Sequence, residues 1–168
     1  MTDLPDRATV LDTSVLSNFA HVDRLDVLVD LPRVVTVEAV RKELQEGTET
    51  HGYLERAVAV LEDEIPVATP APPTADVEAK LLETLDPGEA GVLAVAEATN
   101  GLAVTDDGDA RTVAERRGTA VTGSIGLLVR FVENGEMAEA TADEYLTRWI
   151  DEAEFRSPAR EFGVFLRE

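Results

Sequence analysis

Short runs of almost purely apolar residues, each followed by a longer segment of helical spacing, constrain the fold of this chain more than any other feature. Thr9 to Leu11, the valines at 34, 35 and 37, Leu102 to Thr105, and Thr119 to Thr122 are such runs. They show no polar alternation, which marks strands covered on both faces, as in a parallel sheet. Helical spacing fills the gaps. Ser14 to Leu31 carries it in two pieces broken near His21–Asp23, and a second helix, which Thr36 can cap, runs to about Gly47. Tyr53 to Glu62 follows. Pro66, Pro70, Pro72 and Pro73 mark a loop, with a short strand at Ile65–Ala68. Further helices are expected at Asp76–Leu85, from Asp86-Pro87-Gly88-Glu89 onward, at Asp109–Arg117 with Gly118 as its stop, at Ser124–Glu133 and at Ala142–Ala153. The tail after Ser157 suggests no element. This alternation predicts an α/β fold, a three-layer α/β/α sandwich around a central, mostly parallel sheet of four to five strands.

A chain of 168 residues fits one domain that buries its own core, so no disulfide or structural metal is needed. It has no cysteine, which excludes thiol chemistry and zinc ribbons. No basic segment leads into an apolar run, and no stretch approaches eighteen apolar residues. A cytoplasmic protein without a membrane span is expected.

Charge sets this chain apart. Fifteen Lys and Arg face 34 Asp and Glu, a net charge of −19, and the only lysines are Lys42 and Lys80. The acids are spread among valines and leucines, unlike those of a disordered acidic tail. Such a surface suits high internal salt, where counterions screen self-repulsion. An acidic mimic of nucleic acid is the rival reading. Nucleic-acid binders usually carry a basic footprint. In molar salt a basic patch gains little, so metal and local contacts would have to hold a nucleic acid.

Ligands of open α/β sheets gather at the carboxyl ends of the strands. Two predicted strands end directly in acids there: Leu11 runs into Asp12, and Thr105 into Asp106 and Asp107. Burying two such ends together is costly unless a cation neutralises them. The alternative is local: Asp12 caps the next helix and Asp106-Asp107-Gly108 makes a turn. Glu43 borders the apolar stripe of Val37, Val40 and Leu44, or is a solvated helix carboxylate. Glu89 completes a capping box with Asp86, yet it also stands at the rim of the buried helix containing Val92, Leu93 and Ala96. Neither Cys nor His joins these acids, so hard cations with oxygen ligands, Mg²⁺ or Mn²⁺, suit the set. His21 and His51 read as surface residues. Ser14 and Asn18 could hold a carboxylate or a substrate phosphate, with Thr105 beside them. Arg111, Arg116 and Arg117 could touch an RNA backbone or form a solvated helix face. Phosphotransfer fits poorly: a second Asp two residues after Asp12 is replaced by Ser14, and neither lysine follows a late strand.

Together these segments resemble the PIN-domain family. Val10-Leu11-Asp12-Thr13-Ser14-Val15-Leu16-Ser17-Asn18 is similar to its opening signature, and Val40-Arg41-Lys42-Glu43-Leu44 to its second acidic segment. Gly88-Glu89-Ala90-Gly91-Val92-Leu93-Ala94-Val95-Ala96 resembles the third, and Val104-Thr105-Asp106-Asp107 the fourth. Val121-Thr122-Gly123-Ser124-Ile125-Gly126-Leu127-Leu128 resembles a prokaryotic PIN branch related to VapC-type toxins. The resemblance spans about residues 8–137, leaving a helical extension at about 138–168 within a single domain of residues 1–168. Two departures stand out. The third acid is Glu89 where the family commonly has Asp, and the fourth falls among Asp106, Asp107 and Asp109, with Asp107 favoured. The resemblance implies an Mg²⁺- or Mn²⁺-dependent endoribonuclease in which Asp12, Glu43, Glu89 and Asp107, assisted by Asp106, hold the metal. It further implies an RNA substrate, a homodimer and an antitoxin partner. A non-catalytic PIN scaffold that binds RNA or protein is the other reading.

Overall fold

Five parallel strands are laid out so that the chain reverses direction across the sheet at its middle. The computed structural model describes residues 4–68 and 72–166. Strand β1 (Thr9–Leu11) is central, β2 (Val34–Val37) and β3 (Val67–Ala68) lie on one side, and β4 (Leu102–Val104) and β5 (Ala120–Thr122) on the other. The order is β3-β2-β1-β4-β5, and every pairing is parallel. Thr9 pairs with Val34 on one side and Leu102 on the other. The switch point of this sheet therefore lies between β1 and β4, beyond their carboxyl ends, where open α/β sheets take their ligands.

Helices flank the sheet. They are α1 (Thr13–His21), α2 (Leu25–Val29), α3 (Glu38–Gly47), α4 (Leu54–Asp63), α5 (Pro72–Leu81), α6 (Pro87–Thr99) and α7 (Gly108–Arg116). Val10, Leu11, Ala103 and Val104 are fully buried, as their unbroken apolar runs require. Helix α6 is buried from Ala90 to Ala96 and packs on β1, β2 and β4 as well as on α3 and α5. That contact with three strands explains why it lacks the polar stripe of an ordinary surface helix.

Three expectations need correction. Thr36 does not cap α3: it is fully buried within β2, and its hydroxyl donates to the Leu11 carbonyl at 2.6 Å. The α3 cap position is held by Val37, without a side-chain bond. The proline-rich segment is not all loop, because α5 begins at Pro72 and ends at Leu81, ahead of the expected Asp76–Leu85. Proline in a first turn forfeits no helical hydrogen bond. Pro70 lies outside the described residues. Gly47 is the last residue of α3 rather than a left-handed stop, and a Cβ there would come within 2.7 Å of Leu54 on α4. A side chain there would require the Leu54 methyl to move. The stop expected at Gly118 is real in backbone terms, since its φ of +73° suits glycine.

Two compact units divide the chain, Met1–Thr122 and Gly123–Glu168. The second holds α8 (Ser124–Glu133), α9 (Glu139–Glu152) and a 3-10 turn at Phe162–Leu166. Helix α9 starts before the expected Ala142, and the turn occupies a tail that suggested no element. Trp149 is fully buried and packs on Phe155 with ring centres 5.6 Å apart. Among the described residues no helix is long and apolar enough to cross a membrane.

Candidate metal centre

The ladder between β1 and β4 continues one residue past β1, because the Asp12 amide donates to the Val104 carbonyl at 2.9 Å. This bond fixes Asp12 at the strand end, 4% exposed. Asp12 occupies the cap position of α1, yet its side chain makes no capping bond. The local reading of Asp12 therefore fails. Its Oδ2 instead accepts a short hydrogen bond, 2.6 Å, from the buried hydroxyl of Thr105 at the end of β4. Thr105 Oγ1 in turn accepts from the Asp107 amide at 3.2 Å.

Ser14 ties the same two strand ends together. Its hydroxyl accepts from the Asp106 amide at 3.1 Å and reaches towards Asp12 Oδ2 at 3.5 Å, a long contact. Asn18, one turn further along α1, donates to Asp106 Oδ2 at 3.0 Å. Asn18 thus holds a carboxylate, while the main bond of Ser14 is to a backbone amide. Asp107 combines both of its readings: Oδ2 caps α7 through the Ala110 amide at 2.9 Å, and the residue also faces the cavity described next.

A cavity of about 400 Å³ opens here, lined by Asp12, Thr13, Ser14, Ser17, Glu43, Asp86, Glu89, Asp106 and Asp107. Six of these nine residues are acidic and none is basic. All five proposed acids thus meet in one place, with Ser14 at its wall and Thr105 and Asn18 holding two of the acids from behind. Asp109 is absent from this lining. Glu43 enters from α3, which packs on α1 and α6, and its carboxyl lies against Gly88. A side chain on residue 88 would occupy that space.

Glu89 lines the cavity while its carboxylate is engaged in the capping box. Its carboxylate accepts from the Asp86 amide at 3.3 Å, while Asp86 accepts from the Glu89 amide at 2.8 Å. Among the described residues no three acids form a ready-made ligand shell. Asp86 is the acid that sequence reasoning missed. Its role as cap explained it completely at the local level, and only the packing of α6 turns it towards Asp12 and Glu43.

Crowded acids in a confined space resist ionisation. Burial pushes the Asp12 carboxyl up to about 6, against the opposing Thr105 hydrogen bond, with the charges of Glu43 and Asp86 adding to the rise. Burial raises Glu43 as well, and the Asp86 charge contributes. Glu89 is pushed up to about 8 by desolvation, then by Asp86, Asp107 and Asp12. The Thr13 hydroxyl lies near enough to Glu43 to oppose that rise, but it makes no hydrogen bond of good geometry. Its oxygen is the one buried side-chain polar atom without a partner among the described residues. Clustered acids with raised pKa values and an unsatisfied hydroxyl fit an oxygen-seeking divalent cation.

The histidines stand apart from the acids, packed on Tyr53 with ring centres 5.3 Å away for His21 and 5.5 Å for His51. His21 is half-buried rather than a free surface residue. Arg117 forms a forked ion pair with Glu97, and Arg111 lines neither this cavity nor the larger one beside α7.

Comparison with known proteins agrees with this architecture. The crystal structure of PAE2754 from Pyrobaculum aerophilum is similar in fold, with a TM-score of 0.56 and 17% sequence identity, covering 75% of this chain and 97% of that one. No curated protein matches the chain by sequence. A family model described as a PIN domain matches residues 8–168, which includes every residue of the acidic cavity. With nearly the whole sequence accounted for by that model, the chain belongs to the PIN-domain family.

Proposed function

We propose that this PIN domain is an Mg²⁺- or Mn²⁺-dependent endoribonuclease that hydrolyses RNA phosphodiester bonds at the acidic cavity. PIN domains are generally nucleases. The observation that carries the reading is the convergence of Asp12 and Asp107 with Glu43 and Glu89 on one cavity that contains no basic residue. Asp12, Glu43, Glu89 and Asp107 would hold the cation, with Asp106 and Asp86 at its side. A bound divalent cation supplies Lewis acidity, which activates water and offsets negative charge on the phosphate. The remaining work belongs to the protein. Thr105 fixes Asp12, Ser14 and Asn18 fix Asp106, and the burial of Asp12 keeps bulk water away from one side of the site. The two histidines lie outside the cavity, so the reading assigns no proton transfer to them.

The test is cleavage of labelled RNA at several KCl concentrations up to molar, with Mn²⁺ or with chelator. Asp12→Asn should lower the rate by about a thousandfold, a loss of roughly 4 kcal/mol in transition-state stabilisation. Equal rates for wild type and variant would assign the activity to a contaminant and sink the reading.

The fixed position of Glu89 within the capping box favours a second reading, a PIN scaffold that binds RNA or protein without cutting it. RNA binding in chelator, with no cleavage in Mn²⁺ under any salt condition, would select that scaffold. The family resemblance extends the proposal to a toxin that works as a homodimer and is silenced by an antitoxin. Growth arrest on expression, relieved by Asp12→Asn, tests the toxin role. A dimer mass by light scattering tests the assembly.

A further inference from the structure

A second cavity, of about 550 Å³, lies between the end of α5 and one face of α7. Asp109, Thr112, Val113 and Arg116 recur at the spacing of one helix face and form one wall. Lys80, Leu81 and Leu85 from α5 and the turn after it form the other. Leu81 and Leu85 are buried, so the floor is apolar. Lys80 and Arg116 are exposed and have no carboxylate partner among the described residues. Arg117 reaches the same cavity with its charge met by Glu97, and Glu83 and Asp109 also line it. Lys80 and Arg116 thus present their charge over an apolar floor, with the acids Glu83 and Asp109 on the same lining.

The linings of the two cavities come together along the chain at two places. Leu85 lines it and the next residue, Asp86, lines the acidic cavity. Asp109 lines it, and Asp107, two residues earlier, lines the acidic cavity. Along α7, Arg116 stands roughly 14 Å from Asp107 at the usual helical rise. A polyanion lying in the acidic cavity meets no cation there, but one that continues along α7 meets Lys80 and Arg116 within a few nucleotides.

We propose that the α5–α7 cavity is a nucleotide subsite for single-stranded RNA, which seats a base on Leu81, Leu85 and Val113 and meets the flanking phosphates with Lys80 and Arg116. The inference rests on the ribonuclease reading for its choice of ligand. A cavity of this volume is ample for one nucleotide. Base contact with an apolar floor is insensitive to salt, whereas the two cations act through phosphate and are screened by it. The subsite therefore gives a strongly acidic protein a hold on RNA that does not depend on a broad basic surface.

The experiment uses fluorescein-labelled hexauridylate and the full chain in chelator, with anisotropy followed from 0.2 to 1 M KCl and folding checked by circular dichroism. The double variant Lys80→Glu, Arg116→Glu should bind about tenfold more weakly or worse, and its salt slope should fall by about 1.4. The variant Lys80→Arg, Arg116→Lys should bind as the wild type does. In cleavage assays KM should rise in the charge-reversed protein while kcat stays unchanged. Thiouridine at successive positions of the oligonucleotide should crosslink to peptides of α5 or α7. Unchanged affinity and KM, with crosslinks elsewhere, would overturn the subsite and leave the nuclease reading standing. RNA binding that depends on Lys80 and Arg116 in a protein that never cleaves would do the reverse.

Discussion

The two halves of the acidic cavity are built on different principles. On the strand side, two acids are engaged across the fold, Asp12 by Thr105 and Asp106 by Asn18, while Asp107 caps its own helix α7. On the helix side, Asp86 and Glu89 are engaged mainly by each other's backbone, and Glu43 rests against Gly88. The strand half has its geometry fixed by the sheet itself. Burial raises the carboxyl pKa values in both halves, Asp12 on the strand side and Glu43 and Glu89 on the helix side, with neighbouring acids adding to the rise. One half is thus tied across the sheet and the other by local caps at the start of α6.

The most forceful way to break this contrast is to change pH with and without a cation. The folded Asp12 carboxyl, raised to about 6, favours the protonated form relative to the unfolded chain. Its contribution to stability is fully present below about pH 4 and is lost as pH rises through 6. Glu89 extends the loss towards pH 8. For Asp12 alone the difference amounts to about 3 kcal/mol. Thermal denaturation of cation-free protein should therefore show a falling Tm between pH 4 and 8, and millimolar Mn²⁺ should restore stability at the upper end. The same profile in Asp12→Asn would separate the effect from the general repulsion of a highly acidic surface. If the variant loses as much stability as the wild type, the buried acid is not its source.

How far the sequence foretold this site depends on whether a residue's job is local. The strands were legible because full burial leaves an unbroken apolar signature, and Asp12 and Asp106–Asp107 were legible because they end those strands. Thr36 misled because a threonine before a helix matches a capping pattern, while the acceptor it uses, the Leu11 carbonyl, is supplied by a neighbouring strand. Pro72 misled because a breaker in mid-helix is harmless in the first turn. Asp86 was hidden for the opposite reason, since a complete local explanation left nothing to ask of it. The α5–α7 cavity was invisible in sequence: Lys80 and Arg116 belong to separate elements, and only tertiary packing brings them to one wall.

The rigidity of the strand half has its own test. Thr105→Val keeps the shape of the buried side chain but removes the donor to Asp12 and the acceptor for the Asp107 amide. A loss of about 1–3 kcal/mol is expected from the groups left unsatisfied. Because that hydrogen bond holds the Asp12 pKa down, its removal should raise it further and lower Mn²⁺ affinity by about 10–100-fold, as measured by calorimetry near pH 7. A variant that is less stable but binds Mn²⁺ normally would make Thr105 a packing residue alone.

The smallest effect is the sharpest for the helix half. Glutamine suits the third position of a capping box, so Glu89→Gln retains the bond from the Asp86 amide and leaves the start of α6 intact. Only the negative charge is removed. Without cation at pH 8, relief of repulsion from Asp86, Asp107 and Asp12 should stabilise the protein by at most about 1 kcal/mol, since solvent screens a half-buried group. Mn²⁺ affinity should fall by about tenfold and the cleavage rate with it. Glu89→Asp keeps the charge one methylene shorter and should recover part of both. Should glutamine bind Mn²⁺ and cut RNA as well as the wild type, Glu89 is a helix cap and nothing more. The acid that α6 contributes to the cavity would then be Asp86.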